Sequence, residues 1–65
     1  MIKATLKQTG TIKFLLDNLG HKLEPNKEYE FNGIKFKTGN KGFPQTWSLN
    51  IENASNLIEW LVEQQ

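Results

Sequence analysis

The chain has 65 residues, no cysteine and a net charge of +1. That length makes a single domain, residues 1–65, which hides only about 60% of the surface its unfolded chain exposes. With no disulfide or thiolate-held metal to help, stability must come from packing, with oligomerisation as a supplement. So thin a core leaves little to spare for a strained catalytic cleft, and the composition points away from an enzyme.

The charge is unevenly spread. Residues 1–22 carry four Lys and one Asp, and residues 23–30 carry three Glu and one Lys. Residues 31–51 then carry three Lys and no acid, and residues 52–65 three Glu and no base. All eight basic residues are Lys. Arginine is the side chain for bidentate recognition of phosphate and guanine, so its absence counts against specific nucleic-acid readout. Eight Lys and seven Asn without Arg also suggest an A/T-rich coding sequence, such as low-GC bacteria, their plasmids and phages carry. No stretch approaches the roughly 18 apolar residues of a membrane span. Met1-Ile2-Lys3-Ala4 has no apolar run like that of a signal peptide. The expectation is a cytoplasmic protein without membrane contact, in which the acceptor-like Asn53-Ala54-Ser55 is coincidental.

In chain order, Ile2, Ala4 and Leu6 alternate with Lys3, Thr5 and Lys7, which predicts a half-buried strand ending at Thr9-Gly10. Thr11 to Gly20 follows. Ile12, Leu15, Leu16 and Leu19 fall at helical spacing, with Thr11 as N-cap and Gly20 past the end. A strand over 11–19 is the alternative. It would house Phe14, which the helix leaves opposite its stripe, but would put Leu15 on the wet face. Periodicity and end signals favour the helix.

Leu23 to Lys27 reads as a turn. Glu28 to Lys37 then specifies a hairpin, because Asn32-Gly33 is the sequence of a two-residue type I′ turn. That loop sets Phe31 opposite Ile34, Glu30 opposite Lys35, Tyr29 opposite Phe36 and Glu28 opposite Lys37. The apolar pairs share one face and the ion pairs the other. Gly39 to Gln45 is a loop rich in turn residues around Phe43. Trp47, Leu49 and Ile51 alternate as a further strand. Asn53 can cap a last helix with Ala54, Leu57, Ile58, Leu61 and Val62 on its apolar stripe. The predicted fold is α+β: a four-stranded, mainly antiparallel sheet with two helices on one face, in the order β-α-β-β-β-α. Its core would draw on Ile2, Ala4, Leu6, Ile12, Leu15, Leu16 and Leu19 from the first third. Tyr29, Phe31, Ile34, Phe36, Trp47, Leu49, Ile51, Leu57, Ile58 and Leu61 would complete it.

Motifs for chemistry are sparse. His21, the only histidine, follows the predicted helix end and suits a structural role there. One His, no Cys and dispersed carboxylates indicate no metal site. No Gly-rich phosphate loop occurs, so no cofactor is expected. Lys37-Thr38-Gly39 and Ser48-Leu49-Asn50 echo penicillin-binding motifs but lack the Ser-x-x-Lys partner.

Two surfaces remain. The wet sheet face carries Lys3, Lys7, Lys35 and Lys37. A nucleic-acid platform there would need exposed aromatics for base stacking, which the alternation places inside. The second surface is a set of aromatics the core does not need, Phe43, Trp60 and Phe14, with the acidic face of the last helix at Glu59 and Glu63. Such residues anchor protein interfaces. The leading expectation is therefore a non-catalytic protein-binding module, encoded by a phage or mobile element. It would inhibit or modulate a host or defence protein by occlusion, as an anti-CRISPR does. A nucleic-acid-binding module using the four lysines is the first alternative. A small-ligand binder completed at an oligomer interface is the second. The sequence allows either a monomer or a homodimer.

Overall fold

The computed structural model describes residues 2–65, so Met1 lies outside it. Its elements are α1 (Leu6–Asn18), β1 (Glu28–Phe31), β2 (Ile34–Lys37), a 3₁₀ turn (Thr46–Ser48) and α2 (Ile51–Glu63). The only sheet among the described residues is the two-stranded β1–β2 pair. The expected four-stranded sheet and its β-α-β-β-β-α order are therefore corrected.

The hairpin follows its turn chemistry. Asn32 and Gly33 take φ of 52° and 77°, the positive values a type I′ turn demands. The register is Phe31 with Ile34, Glu30 with Lys35, Tyr29 with Phe36 and Glu28 with Lys37. Phe36 is fully buried, and Tyr29, Phe31 and Ile34 pack against the core around it. The opposed charges on the other face do not close. The ion pair within 4 Å among the described residues is Lys13–Asp17 on α1.

The expected first strand is replaced by the start of α1. Thr5 Oγ1 accepts the Gln8 N–H at 3.1 Å and Gln8 Oε1 accepts the Thr5 N–H at 3.0 Å, a reciprocal capping box. The helix then runs through Thr9-Gly10-Thr11, whose hydroxyls donate to the carbonyls of Leu6 and Lys7. Of the alternating residues only Ala4 is buried, whereas Ile2 and Leu6 are exposed. The far end is as predicted. Gly20 N–H bonds the Asp17 carbonyl and His21 N–H the Leu16 carbonyl, the paired closure of a Schellman motif.

The expected fourth strand, over Trp47, Leu49 and Ile51, is likewise absent as a strand. Pro44 bridges Thr38, then the chain coils into the 3₁₀ turn and extends again so that Asn50 bridges Lys3. Ser48 Oγ accepts the Lys37 N–H at 3.1 Å, taking the place of a backbone carbonyl on the open edge of β2. Trp47 and Ile51, expected in the core, are exposed in consequence. Asn50, not Asn53, caps α2, accepting the Asn53 N–H at 2.6 Å. Gln8 Nε2 reaches the Ile51 carbonyl and Gln65 Nε2 the Leu15 carbonyl. The two helices thus lie side by side and run in the same general direction. Between them and the hairpin, Ile12, Leu16, Phe36, Leu57 and Leu61 are completely enclosed. No helix among the described residues is long and apolar enough to cross a membrane.

Candidate functional site

The residues expelled from the expected core gather at one place. Leu6, Thr9 and Gly10 on the first turns of α1 form one wall of an open groove of about 600 Å³. The opposite wall comes from the segment 39–47, chiefly Phe43, Pro44, Thr46 and Trp47. Leu6 is 82% exposed, Trp47 64% and Phe43 45%. Three large apolar side chains thus border a single concavity, an arrangement that monomeric surfaces use for contact with other molecules.

The loop wall is held in place from within. Gly39 N–H bonds the Phe43 carbonyl at 2.9 Å, Gly42 N–H bonds Gly39 at 3.1 Å, and Gln45 N–H bonds Lys37 at 2.8 Å. Lys13 Nζ stands 5.3 Å from the centroid of the Phe43 ring, tying loop to helix. The helix wall is fixed by the Thr5–Gln8 capping box one turn away. A groove whose walls are both hydrogen-bonded loses little ordering entropy when it is filled.

Its lining is mostly uncharged. Lys41 is the one ionisable residue lining it, and the Thr9 hydroxyl is spent on the Leu6 carbonyl. No group of three or more His, Cys, Asp or Glu among the described residues could hold a metal ion. His21 lies elsewhere, with its ring edge-on to Phe31 at 5.4 Å.

No family model matches the chain, no curated protein is significantly similar to it, and no solved structure matches it. Its surface must be read from its own residues.

Of the residues singled out in the sequence, the structure places Phe43 on this groove and disperses the others. Phe14 is exposed on α1, two turns beyond Leu6 and outside the lining. Trp60 is half-buried and packs against the core, while Glu59 and Glu63 are exposed on the outer face of α2. The four lysines also separate. Lys3 is in the bridge with Asn50, Lys7 is on α1, and Lys35 and Lys37 are on β2. Sequence reasoning missed Leu6, Gly10 and Trp47. The Thr5-x-x-Gln8 capping signature was the signal that could have placed Leu6 at a helix start.

Trp47 also alters the picture of the wet sheet face. Beyond the groove it lines a smaller concavity with Glu28, Lys35, Lys37 and Ser48. An aromatic therefore does stand beside those lysines, contributed from outside the hairpin.

Proposed function

We propose that this protein is a small non-catalytic protein-binding module, and that its contact surface is the groove between α1 and the 39–47 loop. The observation that carries this reading is the grouping of exposed Leu6, Phe43 and Trp47 around one preformed concavity. Large aromatic residues in such settings supply most of the energy of protein interfaces. A rigid surface of this kind acts by covering what it binds, so occlusion of a partner is the mode of action. The Arg-free, Lys- and Asn-rich composition supports a phage or mobile-element origin, and with it a host or defence protein as the target.

The test is capture from the lysate of a low-GC bacterium by the wild-type protein and by a Leu6→Glu, Trp47→Ala double variant. A stoichiometric protein held by the first and lost by the second is the expected result. No stoichiometric partner, or one that both retain, would overturn the reading.

Nucleic-acid binding has one observation in its favour, the position of Trp47 beside Lys35 and Lys37. Against it, Glu28 and Glu30 stand opposite those lysines in register, and Lys3 and Lys7 belong to other elements. Titration with single- and double-stranded DNA and RNA across a salt series decides between the two, since phosphate-driven binding falls steeply with salt.

A further inference from the structure

The tip of the hairpin carries reactive groups that its own turn restrains. The chain has seven asparagines, and Asn32 alone is followed by glycine. A side chain on the following residue crowds that residue's backbone nitrogen, and Gly33 brings none. Asn32 and Gly33 are both exposed, and a Cβ built on Gly33 would meet nothing within 4 Å. No hydrogen bond among the described residues engages the Asn32 carboxamide, whereas that of Asn50 is committed to capping α2. Solvent thus reaches both the Gly33 amide and Asn32 Cγ.

Conformation opposes a reaction between them. To close a five-membered ring, the Gly33 nitrogen and Asn32 Cβ must lie on the same side of the Asn32 Cα–C bond. Asn32 has φ 52°, and a type I′ turn sets its ψ at about +30°. That angle puts the nitrogen on the far side of the bond from Cβ, so the closed turn keeps the two groups apart.

We propose that Asn32 is a site of spontaneous deamidation, held back while the hairpin is closed, and that its isoaspartate product prevents the hairpin from closing again. With the tip open, the Gly33 nitrogen loses its proton to hydroxide and attacks Asn32 Cγ. The N–Cγ bond forms, the Cγ–Nδ2 bond breaks, and the nitrogen leaves as ammonia with a proton taken from water. One water then adds to either carbonyl of the succinimide and breaks one C–N bond. Opening at Cγ gives aspartate, and opening at the backbone carbonyl gives isoaspartate, whose main chain runs through Cβ and Cγ.

The two products differ in what they do to the fold. Asp-Gly remains a type I′ sequence. Isoaspartate adds a carbon to a loop whose two-residue length sets the register. The pairs Phe31–Ile34 and Tyr29–Phe36 then no longer meet, and Phe36 is fully buried among them.

The full chain is aged in mildly alkaline buffer with and without urea. It is then mapped by mass spectrometry, with fragmentation that separates isoaspartate from aspartate. Modification should fall on Asn32 first and vanish in Asn32→Gly, whose Gly-Gly turn still suits type I′. It should run about tenfold or more faster in urea, equal to about 1.4 kcal/mol of turn closure. The isolated isoaspartate form should melt about 8 °C or more below wild type, while Asn32→Asp stays within about 4 °C of it. Another asparagine reacting first would overturn the site. Equal rates with and without urea would overturn the restraint by the turn. An isoaspartate form that melts together with Asn32→Asp would overturn the block to closure.

Discussion

Lys13 Nζ lies 5.3 Å from the centroid of the Phe43 ring while it also bonds Asp17 Oδ2 at 2.9 Å. One ammonium thus joins a turn of α1 to the loop that faces it. Cation–π contacts at exposed sites are worth roughly 0.5–1 kcal/mol. A double-mutant cycle with Lys13→Met and Phe43→Leu, read by urea denaturation, should give a coupling of that size. Additivity within about 0.3 kcal/mol would show that the pair does not hold the loop.

Gly10→Ala should raise stability by about 0.4–1 kcal/mol, because it restricts the unfolded chain and meets no obstacle in the folded one. In a domain of this size, 1 kcal/mol shifts Tm upward by about 4–8 °C. Thermal melting checks it, and a fall in Tm would mean that the helix is not formed there.

Gly42→Ala should do the opposite. Gly42 has φ +79°, and a Cβ there would come within 2.9 Å of the backbone carbonyl oxygen of Leu23. The clash is with main chain, which cannot rotate away. A loss larger than the roughly 1 kcal/mol set by the left-handed conformation alone is expected from denaturant titration.

Thr38 is buried, and its hydroxyl accepts the Lys27 N–H at 2.8 Å while donating to the Glu24 carbonyl at 2.6 Å. Those bonds fasten the segment entering the hairpin. Thr38→Val keeps the volume and strands both backbone groups, so stability should drop by about 1–3 kcal/mol. Amide exchange at Lys27 should accelerate with it.

Leu6→Gln should leave stability within about 0.5 kcal/mol of wild type, since the side chain is 82% exposed. A core residue of a sheet strand, which the alternation of Ile2, Ala4 and Leu6 suggests, would instead cost several times more. The same variant should weaken binding at the groove.

The parts legible in the sequence are those determined by neighbours in the chain. Within ten consecutive residues the hairpin has its turn dipeptide and both alternating strands, so its register follows without reference to anything distant. The stripes of α1 and α2 and the Gly20 stop are local in the same sense. The misreadings share a cause. Ile2-Ala4-Leu6 and Trp47-Leu49-Ile51 alternate like strands, but each contains a polar residue that bonds the backbone more profitably in another conformation. Thr5 caps α1 with Gln8, and Asn50 caps α2 three residues earlier than Asn53 would. Ser48 satisfies the edge of β2 with its hydroxyl. Such competition between side chain and backbone is invisible to hydrophobic periodicity. The groove was hidden for the same reason, since Leu6 and Trp47 read as interior positions until the strands holding them dissolve.

The side-by-side helices also govern when the molecule can assemble. Gln8 and Ile51, which link their N-terminal ends, are 43 residues apart in the chain. The hairpin needs no such partner, and hairpins form in about 1–10 μs. α1 has to wait. At roughly 5–20 residues per second of synthesis, Ile12, Leu15 and Leu16 stay without the helix that covers them for several seconds. During that interval the nascent chain presents an uncovered apolar helix to whatever surrounds the ribosome. Folding to completion begins only when Leu57 and Leu61 arrive.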